Sequence, residues 1–504
     1  MEDLYNFVQE AGTSMNRIEE HIYKTFQEGP DEKAIWWKGK WQQRKELEEA
    51  VELCIERLKE SGFKEGYRIA TMLPNCPLIS ILSIAVWKLG GTMVPLNARM
   101  GPEILMNTLS LVEPCAVVLF PGMEQAAASL EAKGITSVIS PLEGPIPSFK
   151  CGPCKPEDRS LAVIFATSGT SGMPKAVKLS HSNILDNTFG VYKTFKHFQT
   201  DDNVINVLPN FHVFGYNLCT ILPLVNGLRQ TVVPSFMPIS SCLEAMIEAE
   251  VTVIAAVPTM YSLFLAVIAK GHPVPSTLRF MVSGGDKLDL RIDARAKQFF
   301  GAELFEGYGL TECSPIVAAN WSSQEKKAGT VGTLLPGYEA QIRDLEGNII
   351  DKQEEGVLWV KGPSVTEGYF RSPEITGERI VDGWFNTGDI ATFDSEGRLT
   401  ILDRAGDLII VGGFNVYPQE VEMVIKGHPE VRDAGVVGIR HHLSGEYVKT
   451  FVVLREESEL DDPRDIINFC KGKLAHYKIP RKVEFVKELP YSSIGKLLRR
   501  ELRK

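Results

Sequence analysis

The chain has 504 residues, beyond the size at which a single hydrophobic core stops growing, so at least two folding units are expected. Its 44% hydrophobic and 23% charged residues are ordinary for a water-soluble globular protein. A formal net charge of -10 argues against a general nucleic-acid binder, which would carry a basic footprint, but leaves room for a local basic patch. The start, Met1-Glu-Asp-Leu-Tyr5, has no basic segment leading into an apolar run, so no secretory leader is expected. Nine cysteines, an odd number in a long chain, fit reduced thiols in the cytoplasm.

Taken in chain order, apolar strand-like runs alternate with amphipathic stretches. Arg44–Lys59 has helical spacing, and Ala116–Phe120 reads as a buried strand. Cys151-Gly-Pro-Cys154 has thioredoxin-type spacing, but Pro141, Pro145, Pro147, Pro153 and Pro156 crowd it, which is linker chemistry. Leu161–Phe165 is a strand, followed by a polar loop and a second strand-like run, Ala176–Leu179. Ser241–Glu250 is amphipathic. Val251 to Ala269 is an uncharged run and is long enough to cross a membrane. Pro258, Thr259, Tyr261 and Ser262 interrupt it, so it reads as a buried strand running into a helix that starts near Pro258. Leu278–Val282 is a further strand. The whole predicts an α/β fold with largely parallel sheets.

After about Gly332 the texture changes to short alternating strands (Tyr338–Arg343, Gly356–Lys361, Arg398–Leu402) separated by Gly-rich turns, which predicts a small β-rich subdomain over about 332–403. The last hundred residues predict a small α+β domain. Pro418 opens a helix over Gln419–Lys426, strands follow at Ala434–Ile439 and Lys449–Leu454, and another helix begins near Pro463. From Arg404 to Lys504 there are 18 Lys+Arg against 15 Asp+Glu, while the rest of the chain has 36 against 49. A mildly basic small domain beside an acidic large one suits phosphate chemistry.

The strongest local signal is Thr167-Ser-Gly-Thr-Ser-Gly-Met-Pro-Lys175. Gly169 and Gly172 let backbone N–H groups converge on an anion, Thr167, Ser168, Thr170 and Ser171 add hydroxyls, and Lys175 adds a point charge. The GxxxxGK[ST] spacing of a Walker A loop is absent. The nonapeptide resembles the signature loop of the adenylate-forming acyl-CoA synthetase superfamily, which includes acyl- and aryl-CoA ligases, nonribosomal adenylation domains and luciferases. The resemblance recurs in order at Pro209-Asn-Phe-His-Val-Phe-Gly215, Ser283-Gly-Gly-Asp-Lys-Leu288 and Glu306-Gly-Tyr-Gly-Leu-Thr-Glu312. It continues at Gly383-Trp-Phe-Asn-Thr-Gly-Asp389, Asp403-Arg404, Gly412-Gly-Phe-Asn-Val-Tyr-Pro418 and Pro490-Tyr-Ser-Ser-Ile-Gly-Lys496.

The resemblance implies a large N-terminal AMP-binding domain over residues 1–403, a mobile C-terminal domain over 404–504 and a hinge near 404–406. It implies that Thr167, Ser168, Gly169, Thr170, Ser171, Gly172, Lys175, Gly285, Glu306, Gly307, Tyr308, Gly309, Thr311, Asp389, Arg404 and Lys496 contact ATP or AMP. Glu312 and Thr167 would hold Mg2+, with Tyr308 offering a flat face to adenine and Asp389 accepting from the ribose hydroxyls. Lys496, with Glu312 and Thr167, would be catalytic, its charge reaching the α-phosphate and attacking carboxylate. His212 is either a packed core histidine or a gate between acyl pocket and thiol tunnel. Gly412, Gly413 and Phe414 would face CoA. Three positions depart from the usual pattern: Gly406 at the hinge, Val357 after Gly356, and Ile494 before Gly495. None removes a group with an assigned role.

The expected substrates are ATP, CoA and a medium- or long-chain fatty acid, with an aryl acid as first alternative. A separate acyl carrier protein could replace CoA, and a non-catalytic acyl or nucleotide sensor is the remaining alternative. Peripheral membrane contact and a homodimer are compatible with this reading.

Overall fold

A computed structural model describes residues 16–168, 174–441, 445–491 and 497–503. The chain folds as two compact units. One comprises Met1–Ala328, Leu334–Tyr338 and Gly362–Asp382, and the other Gly329–Thr333, Glu339–Lys361 and Gly383–Lys504.

The first unit is α/β and contains two largely parallel sheets. In one, the strands run in the order Ile316–Ala319, Glu303–Gly309, Phe280–Ser283, Val253–Ala256, Asn203–Asn206, Arg229–Val232, Lys33–Trp37 and Lys40–Gln43. Every pairing from Glu303–Gly309 to Lys33–Trp37 is parallel, and the outer two are antiparallel. In the other sheet the order is Ser137–Ile139, Ala116–Leu119, Arg68–Met72, Thr92–Pro95, Leu161–Ser168 and Pro174–Ser180, parallel until the last pair. Parallel strands buried on both faces read as continuous apolar runs, which is why these strands were legible as Val/Ile/Leu-rich segments.

Helix Pro77–Lys88 is buried from Pro77 to Trp87. A helix apolar all round belongs inside a core. Its residues share one cluster with Ile35 and Val232 of the first sheet and Ile69, Met93 and Phe165 of the second. Each fully buried Leu or Ile there contributes about 1.5–3 kcal/mol relative to exposure.

The uncharged run Val251–Ala269 resolves into strand Val253–Ala256 and helix Pro258–Ile268, with Pro258 at the first helical position. The strand starts later than expected because the Val251 N–H still closes the preceding helix on the Met246 carbonyl. Among the described residues no helix is long and apolar enough to cross a membrane.

The second unit contains two sheets. Antiparallel strands Glu339–Arg343, Gly356–Lys361, Trp384–Phe393 and Leu399–Arg404 pair in succession. In the other sheet Phe414–Val416, Ile409–Val411, Gly445–Leu454 and Val431–His441 pair antiparallel, with Lys482–Phe485 added in parallel. Helices Pro418–Lys426 and Pro463–Cys470 cover a core of Val421, Ile425, Val436, Val452 and Ile466. The α/β architecture with a β-rich part and a C-terminal α+β fold is thus what the structure shows.

Candidate active site

The strands on either side of the glycine- and hydroxyl-rich segment are paired. Strands Leu161–Ser168 and Pro174–Ser180 pair antiparallel with Thr167 opposite Lys175 and Ser168 opposite Pro174. Gly169, Thr170, Ser171 and Gly172 lie outside the described residues, as does Lys496. For Thr167 and Ser168 the backbone alone is described.

Lys175 leaves the hairpin with its ammonium 5.6 Å from the centroid of the Tyr369 ring. Tyr369 is 3% exposed and donates its hydroxyl to Glu312 Oε1 at 2.7 Å. Burial, together with the Glu312 charge beside it, pushes the Tyr369 phenol well above its usual range, so it keeps the proton it donates. Tyr369 is brought there by backbone. Phe370 N–H bonds Ala176 C=O at 2.7 Å and Lys178 N–H bonds Gly368 C=O at 3.2 Å, so Tyr369 makes an antiparallel bridge to Val177.

Glu312 sits half-buried on the single turn Thr311–Cys313. That turn is clamped by side-chain amides. Ser180 caps helix His181–Thr194, its Oγ accepting from Asn183 N–H and its N–H donating to Asn183 Oδ1, both at 3.1 Å. The cap sets the phase of the helix, so Asn183 and Asn187 share a face. Asn187 Nδ2 donates to Cys313 O at 3.1 Å and Ile316 O at 2.7 Å, and Asn183 Nδ2 donates to Pro363 O at 2.8 Å and Val365 O at 3.1 Å. Asn217 donates to Ser314 O at 2.9 Å and Tyr338 to Cys313 O at 2.9 Å. Thr366 N–H closes on the Glu312 carbonyl at 2.7 Å. Every side chain in this clamp, and Tyr369 itself, was outside the sequence-derived site. Their work is tertiary bonding to carbonyls, which leaves no periodicity to detect.

A half-buried carboxylate suits Mg2+, a hard cation that takes one or two protein carboxylates and otherwise water and substrate phosphate oxygens. Glu312 therefore fits the metal that the sequence implies.

Strand Glu303–Gly309 carries Glu306, Gly307, Tyr308 and Gly309 up to Thr311 and Glu312. Gly309 is where chains approach most closely: a Cβ there would lie 2.0 Å from Pro315 O. Tyr308 is half-buried. The Glu306 carboxylate is turned inward, 7% exposed, and accepts from Leu288 N–H at 3.0 Å. It therefore anchors the Ser283–Leu288 turn, in which Gly285 adopts φ +83°.

Burial pushes the Glu306 carboxyl up to about 7, with the Leu288 N–H and Lys287 opposing. The unfolded carboxyl ionises first as pH rises, so this group's contribution to stability is full below about 4.5 and is lost as pH rises through about 7. Unfolding free energies measured in urea from pH 5 to 8 are expected to fall for the wild type relative to Glu306→Gln, by a difference on the order of 1–3 kcal/mol. Parallel curves would remove this assignment.

His212 precedes helix Phe214–Ile221, whose bonding follows the wider π spacing. Its Nδ1 accepts from Phe214 N–H at 3.2 Å, which places the proton of the neutral ring on Nε2. Buried amides hold this segment: Asn210 N–H donates to Asn75 Oδ1 at 3.0 Å, Asn75 Nδ2 to Leu208 O at 2.8 Å, and Asn210 Nδ2 to Asn206 Oδ1 at 2.9 Å. The same helix carries Asn217, so one element sets both the His212 corner and the Glu312 turn.

In the second unit, Asp389 and Arg404 are register partners on adjacent antiparallel strands, and Arg404 Nε lies 2.7 Å from Asp389 Oδ1. The Asp389 side chain is 4% exposed and that of Arg404 40%. Asp403, facing the other way, is buried and accepts from Gln419 N–H at 3.0 Å. Gly412 and Gly413 form a two-residue hairpin turn with φ +59° and +87°, a geometry that favours glycine at both positions. Phe414 follows, 56% exposed and stacked on Tyr477 with centroids 4.7 Å apart. Gly406 lies in the short turn Ala405–Asp407, where a Cβ would meet nothing within 4 Å.

The order and spacing of these segments match two family models, that of the AMP-binding enzyme over residues 22–370 and that of the AMP-binding enzyme C-terminal domain over 420–496. The chain belongs to the AMP-binding enzyme family. It is 31% identical to a long-chain-fatty-acid–CoA ligase of Yersinia pestis over 91% of this chain and 89% of that protein. It is 33% identical to a 2-succinylbenzoate–CoA ligase of Bacillus mycoides over 91% and 92%. Its fold is similar to that of ATP-bound MatB from Rhodopseudomonas palustris, with a TM-score of 0.87 and 29% identity over 97% and 98% of the two chains. The protein is an ATP-dependent ligase of the acid–CoA kind, using ATP, CoA and Mg2+.

Proposed function

We propose that the acid is a medium- or long-chain fatty acid, activated as acyl-AMP before transfer to CoA. The observation that carries the first half-reaction is the Glu312 carboxylate held by the Tyr369 hydroxyl at 2.7 Å, with the Lys175 ammonium on the same ring. The similarity to long-chain-fatty-acid–CoA ligases supports the choice of acid.

In the first step an oxygen of the substrate carboxylate attacks the α-phosphorus of ATP, and the bond to the β-phosphate breaks to release pyrophosphate. Glu312 and Thr167 would hold Mg2+, which when bound draws charge from the phosphate oxygens. Lys175 and the loop N–H groups from Thr167 to Gly172 bind the phosphates, and Lys496 offsets the charge that builds at the α-phosphate. Asp389 accepts from the ribose hydroxyls, with Arg404 orienting it. Tyr308 stacks on adenine, with Gly285, Gly307, Gly309 and Thr311 close by. Glu306 supports this strand from behind.

In the second step the CoA thiolate attacks the acyl carbonyl, the C–S bond forms as the bond to the AMP phosphate oxygen breaks, and AMP is a good leaving group, so no strong protein base is needed. The C-terminal domain turns near Arg404–Gly406 between the two steps, and Gly412, Gly413 and Phe414 line the path of the pantetheine arm. His212 gates the acyl pocket.

A second reading, an aryl acid, is favoured by the similarity to 2-succinylbenzoate–CoA ligase. A panel of fatty and aryl acids, each offered with CoA or with an acyl carrier protein, with AMP release and thioester formation as readouts, separates these readings. Turnover is expected with fatty acids and CoA. AMP release with aryl acids alone would overturn the proposed substrate, and thioester on the carrier protein alone would overturn the acceptor.

A further inference from the structure

The spacing Cys151-Gly-Pro-Cys154 suggests a local pair, but the fold gives Cys151 a different partner. Cys115 stands directly before strand Ala116–Leu119. Its N–H bonds Arg68 O and its carbonyl accepts from Gly152 N–H, both at 2.8 Å. Cys151 N–H in turn bonds Ser61 O at 2.8 Å. A Cβ on Gly152 would lie 2.9 Å from Thr136 Oγ1 and 3.3 Å from the Cys115 carbonyl oxygen, so the chain threads close past Cys115. The result is two sulfurs, Cys115 Sγ and Cys151 Sγ, 3.6 Å apart, with Ser61 Oγ 3.3 Å from Cys151 Sγ. Cys115 is fully buried, whereas Cys151 is partly exposed. The buried guanidinium of Arg68 adds positive charge to the cluster, in which Cys154 is the third thiol. None of these groups has a part in the ligase chemistry.

We propose that Cys115 and Cys151 are a peroxide-oxidised dithiol, in which Cys151 is attacked first and Cys115 resolves it to a disulfide. The co-reactant is hydrogen peroxide. The Cys151 thiolate attacks one peroxide oxygen, an S–O bond forms, the O–O bond breaks, and the released hydroxide takes up a proton to give water. The Cys115 sulfur then attacks the Cys151 sulfenic sulfur. The S–S bond forms, the S–O bond breaks, and the Cys115 proton leaves with the hydroxyl as a second water. The two thiols lose two electrons in all, which reduce the peroxide. The sulfurs need to close from 3.6 Å to a bond of about 2.05 Å.

Burial and electrostatics assign the order of events. Only the partly exposed sulfur is open to a dissolved oxidant. The contact between the two sulfurs, with Ser61, lowers the Cys151 thiol from its usual range, whereas the same contact and burial push Cys115 far up. A thiol near ambient pH is the better attacking group, and a buried protonated one is suited to wait.

The test uses the reduced, folded full-length protein treated with hydrogen peroxide, then alkylated, digested and mapped by mass spectrometry without reductant. A peptide joining Cys115 to Cys151 is expected, with loss of two hydrogens, and Cys154→Ser is expected to retain it. In Cys115→Ser a sulfenic acid trapped by dimedone is expected at Cys151. A Cys151–Cys154 crosslink, or an unmodified Cys151 at peroxide doses that oxidise other cysteines of the same chain, would overturn the proposal. The wild-type map decides the question even if a variant fails to fold.

Discussion

Replacing Glu312 by Gln is expected to lower acid-dependent exchange of pyrophosphate into ATP on the order of 100-fold or more, the scale seen when a group acting on transition-state charge is removed. The swap keeps the shape of the side chain and its bond from Tyr369 but removes the charge that would hold the metal. Tyr369→Phe tests the same arrangement one step out. It deletes the hydroxyl that donates to Glu312 Oε1 at 2.7 Å and leaves the ring under Lys175. Partners of metal-binding groups typically account for roughly 10- to 100-fold in metal affinity or activity, so the Mg2+ concentration for half-maximal exchange should rise by that factor. A merely structural role would lower the thermal midpoint without moving the Mg2+ dependence. Wild-type exchange in Glu312→Gln would show that this carboxylate is not the metal-holding group.

The second large effect is expected at Gly309. Its Cβ position lies 2.0 Å from Pro315 O and 2.7 Å from Pro315 C, both backbone atoms that cannot swing aside. Leu310 N–H bonds the same carbonyl at 3.0 Å, and the neighbouring Ser314 is held by Asn217 and Ser364. Gly309→Ala must therefore open the pairing of Gly309 with Ile316 or displace the turn that carries Glu312. A loss of about 2–4 kcal/mol in urea unfolding is expected, at the upper end of the usual cost of overpacking. Exchange activity should fall with it. Gly377→Ala is the control. It lies in helix Pro373–Arg379, where a Cβ meets nothing within 4 Å, so a gain of about 0.5–1 kcal/mol is expected. Equal stability of the two variants would show that the close approach at Gly309 relaxes freely.

Elements with a strong local signal were legible from the residues. Gly356–Lys361 is a strand with the expected bounds, and the helix after Pro258 begins at that proline. Helix Arg44–Glu60 follows its amphipathic pattern one residue beyond Lys59. Boundaries moved where a backbone bond outweighed hydropathy. Strand Pro174–Ser180 starts before the expected Ala176 because the hairpin ladder extends to Ser168 opposite Pro174. Strand Gly445–Leu454 runs well ahead of the expected Lys449 because it pairs along nearly all of Val431–His441. An expected role also acquired a second meaning in the structure. Glu306, placed with the nucleotide contacts by its motif, turns its carboxylate to the Leu288 N–H.

Residue types and their order along the chain determined the family, because the runs Thr167–Lys175, Glu306–Glu312 and Pro490–Lys496 are each short linear signatures. The tertiary structure alone decided how Glu312 is held. Asn187, Asn217, Tyr338 and Tyr369 reach it or its turn from segments far apart in sequence, and an amide bonding a carbonyl has no required spacing. The same reason separates the two readings of Cys151. Spacing set Cys151 beside Cys154 in a proline-crowded segment that reads as a linker, whereas in the fold the Gly152 N–H bonds the Cys115 carbonyl and Cys115 Sγ lies 3.6 Å from Cys151 Sγ. Local chemistry is written in neighbouring residues, but the partner of a buried polar atom is set by which strands and turns the packed core brings together.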